Sequence, residues 1–440
     1  MRKISFSFGF SLILHYLCNK NRMRVLIVNT SERTGGAAVA AKRLMVALNN
    51  NGVKAKMLVR DKETESPAVI ALGRHMLEEW HFLAERLVIW FNNLFSRKNL
   101  FKVSIANTGT DITRLPEFKE ADIIHLHWVN QGFLSLRSLR KILQSGKPVV
   151  WTMHDMWEAT AICHHAYTCE QYQTECHHCP FLRFPARHDL SNRVFHKKQK
   201  LFAGAHIHFV AVSQWLADRA KKSALIGNQS VTVIPNAIST SQFSMTDRQD
   251  ARSMLALGSE RYYIVFGAAR VDDDIKGLNY LTAALSQLIS DGRYDRQDIR
   301  LVLFGGIKDE RILANMPVPT SYMGYVNDHV LLSQLYSAAD VVVSSSLYET
   351  FGQTIIEAQL CGCTPVAFGN SGQADIIEHQ VNGYLADYLS ADSLANGIDW
   401  AIHARLQPQD LKKRVIRKYA ESVVANKYIH LYQQLVKESL

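Results

Sequence analysis

The sequence has few cysteines outside one short segment, and it has no long block of lysine and arginine. Seven cysteines occur in 440 residues, and four of them lie between 163 and 179, which excludes a small secreted scaffold held by disulfides. The chain also has no low-complexity tract and no short internal repeat. Because neither a basic block nor a nucleic-acid motif is present, nucleic acid is not an expected partner.

What remains is an ordinary globular composition, with 47% hydrophobic and 20% charged residues. A chain of 440 residues is long enough for two domains of about 200 residues each. The net charge of +10 favours anionic partners such as phosphorylated small molecules or acidic lipid headgroups.

The first 22 residues differ in character from the remaining chain. Arg2 and Lys3 precede the apolar run Ile4–Cys18, as in the charged start and apolar core of a signal peptide, but no small-x-small cleavage site comes after it. Met23 then opens a new strand. We therefore interpret residues 1–22 as an over-long start, with a short membrane-tethering leader as the alternative, since the run is too short for a clear transmembrane helix.

From Met23 onward the chain alternates apolar strands with helices, which predicts an α/β fold with two doubly wound parallel sheets. The strands predicted in the first half are 24–29, 53–60, 122–128, 148–153, 208–213 and 231–234. Those predicted in the second half are 262–268, 299–304, 340–346 and 364–368. A polar stretch at 237–260 separates domains at 23–240 and 241–410, and ligands are expected in the cleft between them.

Between these strands, Met76–Phe101 is rich in tryptophan, phenylalanine, leucine and isoleucine, with Arg86, Arg97, Lys98 and Lys102 beside them. One interpretation is a pair of helices that packs on the sheet. The other is an amphipathic surface that docks on an acidic membrane.

Two glutamates eight positions apart follow the strand 340–346. Glu349 falls in the loop after that strand, and Glu357 falls in the first turn of a helix that begins at Gln353 and ends before Gly362. The free amides of such a helix favour phosphate, so the two acids are candidates for binding sugar or ribose hydroxyls. Alternatively, Thr354-x-x-Glu357 is a capping box.

Arg270 and Lys276 come directly after the strand 262–268 and are therefore expected at the cleft edge. Two cations there suit a diphosphate leaving group, because they stabilise the negative charge that develops as the bond breaks. The alternative is a loop in which Asp272–Asp274 pair with these cations.

The glycines Gly35 and Gly36 lie between the strand 24–29 and the next helix, where they leave backbone amides free for a ligand. The pattern is not Gly-x-Gly-x-x-Gly, which disfavours a nicotinamide dehydrogenase. His154 follows the strand 148–153. It is a candidate donor to a sugar hydroxyl, and its alternative is a hydrogen bond within a turn.

Taken together, these motifs resemble those of family 4 glycosyltransferases of the GT-B fold. The resemblance runs from about Met23 to the C-terminus. The matching segments are Gly35-Gly-Ala, Trp151-Thr-Met-His-Asp155, Val212-Ser213, Ile234-Pro-Asn-Ala-Ile238, Arg270 with Lys276-Gly277, Met323-Gly-Tyr-Val326 and Glu349-x7-Glu357. Two departures are the alanine-rich run after Gly36, where relatives often carry an acid, and Asn236-Ala237, where relatives often have Asn-Gly.

The resemblance implies roles around a nucleotide-sugar donor. Arg270 and Lys276 would bind the diphosphate, Glu349 the donor sugar and Glu357 the ribose. Further positions are implied near the phosphates and the sugar: Gly35, Gly36, His154, Phe351, Gly352 and Gln353.

The resemblance also implies the reaction. Family members transfer a sugar with retention and need no metal cofactor, and the leaving phosphate assists deprotonation of the acceptor hydroxyl. The implied partners are a UDP- or GDP-linked sugar and a lipid-linked glycan acceptor of surface polysaccharide synthesis. The implied location is the cytoplasm at the inner face of the plasma membrane, and residues 411–440 are expected to pack back on the first domain.

Three other functions share parts of this pattern. A nucleotide-sugar epimerase or a phosphorylase could have the same fold, and a non-enzymatic binding module could use the cysteine segment. An epimerase would not need the glutamate pair beside the two cations, and a phosphorylase would need inorganic phosphate.

The cysteine segment has the spacing Cys163-x5-Cys169-x6-Cys176-x2-Cys179, interleaved with histidines. Its Cys-x2-Cys half suits a zinc knuckle, and four thiolates suit a closed structural zinc site. Two disulfides, or a reduced loop without a ligand, are the alternatives. The segment also resembles cysteine-rich inserts in capsule- and colanic-acid-type members of family 4.

Overall fold

The structure is a computed structural model that describes residues 22–73, 75–258, 261–404 and 406–438. The leader predicted at residues 1–22, including its apolar run, lies outside these ranges except for its last residue. In the described part of the chain, the strands and helices form two α/β units, each built on its own parallel sheet.

The first unit is a sheet of seven described strands in the order β3-β2-β1-β4-β5-β6-β7, with every neighbouring pair parallel. The strands are β1 (Arg24–Ser31), β2 (Lys54–Asp61), β3 (Val69–Ala71), β4 (Ile123–Leu126), β5 (Val149–Met153), β6 (Ile207–Ala211) and β7 (Ser230–Val233). The central strands β1, β4 and β5 are buried along almost their whole length, as expected where helices cover both faces of a parallel sheet.

Six helices belong to the same stretch of chain. They are α1 (Gly36–Asn50), α2 (His75–Asn92), α3 (Pro116–Glu120), α4 (Leu136–Leu143), α5 (Leu190–Phe202) and α6 (Gln214–Lys221). Side chains cap three of them, since Ser135, Asp189 and Ser213 each accept a hydrogen bond from a backbone amide of the first turn.

The second unit is a parallel sheet of six described strands in the order β10-β9-β8-β11-β12-β13. Its strands are β8 (Tyr262–Arg270), β9 (Ile299–Gly306), β10 (Thr320–Tyr322), β11 (Val341–Ser344), β12 (Thr364–Phe368) and β13 (Tyr384–Ala386). The remaining helices are α7 (Arg248–Met254), α8 (Leu278–Ser290), α9 (Arg311–Ala314), α10 (His329–Ala338), α11 (Gln353–Leu360), α12 (Ala391–His403), α13 (Pro408–Tyr419) and α14 (Glu421–Glu438).

The fold confirms the two doubly wound sheets and corrects several details. The edge strands β3, β10 and β13 were not predicted from the sequence. The segment Met76–Phe101 contains one helix, α2, followed by turns, rather than two helices. The polar stretch predicted as a linker contains α7, which packs on α10 of the second unit.

The last helix returns to the first unit. Residues Val424–Tyr432 of α14 share one apolar core with β1 and α1. The Tyr432 hydroxyl contacts His125 Nδ1 at 2.7 Å, and the Tyr428 hydroxyl contacts Thr152 Oγ1 at 2.9 Å. Helix α14 is therefore part of the core around β4 and β5.

Strand order fixes where a ligand can bind. In each sheet the order reverses once, at β1/β4 and at β8/β11, and the crevice outside the carboxyl ends of those strands is the expected ligand site. The loops at these crevices carry Gly35 and His127 in the first unit, and Lys276 and Glu349 in the second. Among the described residues, no helix is long and apolar enough to cross a membrane.

Candidate active site

Lys276 and Glu349 form the centre of the second crevice. The loops after β8 and β11 are tied together, since the Ser345 hydroxyl donates to Gly277 O at 2.8 Å and the Leu347 amide donates to Ile275 O at 2.8 Å. This brings Lys276 Nζ to 2.8 Å from Glu349 Oε2. Residues 73 positions apart therefore form one half-buried ion pair at the cleft.

The pair holds both groups charged. Burial raises the pKa of Glu349, but the Lys276 ammonium and a hydrogen bond from the Phe351 backbone outweigh it, so the pKa lies below its usual value. Burial lowers the pKa of Lys276, and the carboxylate of Glu349 outweighs it, so that pKa is raised. A fixed ammonium beside a fixed carboxylate can hold a phosphate oxygen and a sugar hydroxyl side by side.

Arg270 lies at the same edge but faces its own loop. Its Nη2 is 3.0 Å from Asp273 Oδ2, and its Nε is 3.4 Å from Asp272 Oδ1. This acidic pairing is the arrangement that the sequence offered as the alternative to diphosphate binding. The side chain is 42% exposed, so it can still turn toward an anion in the cleft.

Glu357 is held by a residue of the first unit. Its Oε1 is 3.2 Å from Arg43 Nη2 and accepts from Gln353 Nε2 at 3.0 Å, and both members of the ion pair are buried. Nothing in the local sequence identified Arg43, which lies 314 positions away on α1.

The capping box offered as the alternative role of Glu357 is wrong. The N-cap of α11 is Gly352 rather than Thr354, so Glu357 is the fifth helical residue and lies in the second turn instead of the first. Gly352 has φ of 100°, a conformation that a side chain would strain, and no side chain caps the helix. The Ile355 amide donates to Gly352 O at 3.1 Å, which leaves the amides of Gln353 and Thr354 to bind an anion.

The glycine pair opens the corresponding site in the first unit. Gly35 is the N-cap of α1 with φ of 92°, and no side chain caps that helix either. A Cβ built on Gly35 or on Gly36 would meet no atom within 4 Å. This loop therefore leaves open space and free amides at the β1/β4 crevice.

His154 follows β5 and joins the two units. Its Nε2 lies 2.8 Å from His127 Nδ1, and its carbonyl accepts from Thr350 Oγ1 at 2.8 Å. Neither partner was predicted from the sequence, although His125-Leu-His127 at the end of β4 was a visible signal. His127 Nε2 is buried without a partner, so we assign its proton to Nδ1, which leaves His154 protonated on Nδ1 and free to donate there.

Burial keeps these histidines neutral. It lowers the pKa of His154 to about 4 and the pKa of His127 well below its usual value. A neutral His154 can donate one hydrogen bond to a sugar hydroxyl without placing a positive charge in the site.

Further contacts close the cleft around Thr350 and Tyr348. Ser213 Oγ donates to Thr350 O at 2.7 Å, and the Trp215 amide donates to Asp375 Oδ2 at 3.1 Å. The Tyr348 ring packs 4.8 Å from His165 and 4.9 Å from Trp215. The residue before Glu349 is therefore packed against the first unit.

Comparison with known proteins agrees with this arrangement. One family model, described as Glycosyltransferase Family 4, matches residues 34–242. A second, described as Glycosyl transferases group 1, matches residues 247–419. Adjacent matches to both halves decide the assignment. The chain belongs to glycosyltransferase family 4.

Two relatives match over most of this glycosyltransferase. An uncharacterised glycosyltransferase of Methanocaldococcus jannaschii is 24% identical over 369 residues, which is 76% of this chain and 90% of the relative. The Escherichia coli protein WcaC, named as a colanic acid biosynthesis glycosyl transferase, is 21% identical over 71% of this chain and 76% of its own.

Solved structures show the same GT-B fold. Sucrose-phosphate synthase from Thermosynechococcus elongatus superposes with a TM-score of 0.66 at 20% identity, covering 95% of this chain and all of that one. Anabaena HepE, solved in complex with UDP, has a TM-score of 0.59 at 17% identity and covers 94% of this chain and 100% of its own.

The cysteine segment of this glycosyltransferase packs beside Tyr348, in the loop that carries Glu349. All four cysteines, Cys163, Cys169, Cys176 and Cys179, line one cavity of about 20 Å³. They are free thiols, and burial raises the pKa of Cys176 to about 11 and that of Cys179 to about 12.

The structure does not support the structural zinc predicted at these cysteines. Within the described ranges, no three histidine, cysteine or acidic side chains are grouped so that they could hold a metal ion. The buried thiols also form no disulfide. The segment packs against the second unit, since His165 and Tyr167 both lie against Tyr348.

Because several histidines are buried, we expect the protein to lose stability in mild acid. Burial lowers the pKa of His125 from 6.5 to about 3. Because the unfolded chain binds this proton at a higher pH, stability rises with pH between the two values and is lost as the pH falls below about 6.5. We expect the difference in proton binding at His125 alone to lower the free energy of unfolding by about 2 kcal/mol at about pH 5.

Urea unfolding at several pH values measures this effect. His125→Gln should show a shallower pH dependence than the wild type, whereas His430→Asn, at an exposed position of α14, should keep the wild-type slope. Equal slopes in all three proteins would contradict the lowered pKa of His125 as a source of the pH dependence.

Proposed function

We propose that this enzyme is a retaining hexosyltransferase that moves a sugar from a nucleotide diphosphate sugar to a lipid-linked glycan in surface polysaccharide synthesis. The observation that carries the proposal is the Lys276–Glu349 ion pair of 2.8 Å at the crevice of the second sheet. Such a pair can bind the leaving diphosphate and the transferred sugar at neighbouring atoms.

The donor fits the groups that the fold brings together. The diphosphate would lie against Lys276, Arg270 and the free amides that begin at Gln353. The ribose would bind Glu357, and the sugar would bind Glu349 and His154. Anabaena HepE, a protein of the same fold, has been solved with UDP and with UDP-glucose, which supports a uridine nucleotide as the first donor to test.

The chemistry needs no protein base in this proposal. The acceptor hydroxyl attacks the anomeric carbon from the face that the diphosphate leaves, the bond from that carbon to the phosphate oxygen breaks, and the hydroxyl proton passes to the departing phosphate. Lys276 and Arg270 stabilise the charge on that phosphate. Gly36 lies where the open loop of the first unit would admit the acceptor.

The proposed location is the cytoplasm at the inner face of the plasma membrane, where a lipid-linked acceptor would be available. Relationship to WcaC, named for colanic acid biosynthesis, supports an extracellular polysaccharide as the product class.

We expect the purified enzyme to release UDP or GDP from one nucleotide sugar in the presence of acceptor, and to do so equally well after treatment with EDTA. Lys276 and Arg270 supply the positive charge that a metal ion would otherwise provide. A screen of UDP- and GDP-sugars by nucleotide release and by thermal stabilisation measures both points.

Failure of every nucleotide sugar to turn over, together with no binding of UDP or GDP, would overturn the function. Loss of turnover with EDTA that returns with added metal would overturn only the metal-free reaction. Omitting inorganic phosphate separates a transferase from a phosphorylase, which would stop.

A further inference from the structure

Helix α2 exposes apolar side chains and buries charged ones, which is the reverse of an ordinary surface helix. Large apolar side chains are exposed along one face at helical spacing: Met76, Trp80, Leu83, Leu87 and Phe91. Met76 is 87% exposed and Trp80 60%. A contiguous apolar surface of this length is unusual on a protein that meets only water.

The opposite face of α2 buries charged groups. Glu85 accepts from the Ile105 amide at 2.7 Å and from the Ala106 amide at 2.9 Å, and Arg86 Nη1 donates to Val103 O at 3.1 Å. These buried bonds fix the rotation of the helix. The apolar stripe therefore cannot turn inward without breaking them.

The stripe continues beyond the end of α2. Leu94 and Phe95 are exposed and have φ of 46° and 59°, a conformation that is unfavourable for side-chain-bearing residues. Trp90 Nε1 holds the turn by donating to Phe95 O at 2.7 Å. Phe101 and Phe184 are exposed as well, 61% and 60%, and Phe184 lies under the guanidinium of Arg183.

A cationic pocket opens beside the stripe. It has a volume of about 280 Å³ and lies between α2, α4 and α5. Its lining includes Val88 and Asn92 of α2 and the exposed cations Arg137, Arg193 and Lys197, with no acidic side chain among the lining residues.

We propose that the stripe and this pocket form one membrane-docking site for an anionic phospholipid bilayer. The exposed apolar side chains enter the boundary between headgroups and acyl chains, and Arg137, Arg193 and Lys197 bind a lipid phosphate. Charge complementarity favours an anionic bilayer as the partner, since apolar residues flanked by cations match an acidic leaflet. In a symmetric dimer on this face, the same cations would approach their own copies, which is unfavourable.

The inference rests on the proposed function only in that docking would bring the cleft to a lipid-linked acceptor. Membrane binding itself is measured without donor or acceptor, so its failure is distinguishable from failure of the sugar transfer. The probe is sedimentation with vesicles of phosphatidylglycerol and phosphatidylcholine, compared with vesicles of phosphatidylcholine alone.

We expect Trp80→Ser with Phe91→Ser to weaken binding to the anionic vesicles by at least about tenfold, because both side chains supply buried apolar area. The matched control is Tyr325→Ser with Val330→Ser, which removes two exposed apolar side chains from the second unit. The control should bind as the wild type does, and both double variants should keep the wild-type melting temperature.

The pocket is tested by a triple variant, Arg137→Ala, Arg193→Ala and Lys197→Ala. We expect its binding to the anionic vesicles to weaken by about tenfold or more, so that the preference over phosphatidylcholine vesicles is lost, because each cation near the surface contributes to the attraction. Lys413→Ala, Arg414→Ala and Arg417→Ala on α13 remove the same charge elsewhere and should retain the preference.

Three results would overturn the proposal. One is no binding to anionic vesicles by the wild type. Another is a dimer in light scattering that the Trp80 and Phe91 substitutions dissociate, which would make a second copy the occupant. The third is saturation of the pocket by inorganic phosphate without any vesicle binding, which would make it a site for a free anion.

Discussion

Replacing Lys276 with alanine is expected to lower kcat/KM for sugar transfer by about 10²- to 10³-fold, the loss seen when one stabilising donor is removed from a developing anion. Lys276 Nζ is held 2.8 Å from Glu349 Oε2, so its charge is already in place before the bond breaks. The measurement is steady-state release of nucleotide, with circular dichroism to confirm the fold.

A double variant separates this effect from a loss of stability. Lys276→Ala alone leaves the half-buried Glu349 without its cation, at an expected cost of about 1 kcal/mol. Adding Glu349→Gln removes the uncompensated charge and should recover that stability without recovering the rate. Recovery of turnover in the double variant would make the pair structural rather than catalytic.

Glu357→Gln is expected to weaken nucleotide binding by about 10- to 100-fold, since a hydrogen bond to a charged group contributes about 1.5–3 kcal/mol. The glutamine keeps the shape of the side chain and loses its charge. Isothermal titration with UDP and with GDP measures the effect.

The ion pair with Arg43 supplies the matched control. Arg43→Met breaks the same 3.2 Å contact from the other side and leaves the carboxylate of Glu357 in place. If Glu357 binds ribose, only the glutamate variant should lose affinity. Equal losses in both variants, with equal falls in melting temperature, would reduce Glu357 to a contact between the two units.

The sequence predicted the strands that are continuously apolar. The observed β12 has the predicted bounds, and β1 and β8 run two residues longer than predicted. Burial on both faces of a parallel sheet imposes such runs. The three-residue strands β3, β10 and β13 have no periodicity to detect, because their pairing is decided by a neighbour already in the sheet.

The site was predictable where it depends on strand ends and not where it depends on distant partners. Lys276 and Glu349 could be placed at one cleft because both follow strands of a parallel sheet. Arg43 could not, since its contact with Glu357 joins α1 to a helix of the other unit 314 positions away. His127 was missed although it follows β4 as His154 follows the neighbouring strand β5, so that the two side chains meet at the same edge of the sheet. The first-turn position predicted for Glu357, and the capping box offered as its alternative, are both wrong because Gly352 in a left-handed conformation precedes the helix, which the four-residue pattern cannot indicate.

The position of α14 also determines when the enzyme can finish folding during synthesis. Val424, Tyr428 and Tyr432 complete the core beneath β1, β4 and β5, yet a ribosome makes them after the whole second unit. The first unit therefore emerges first and completes its core last, with part of that core exposed to solvent or chaperones in the interval. For the same reason, a nonsense mutation that removes only the last helix would damage the half of the enzyme encoded farthest from it.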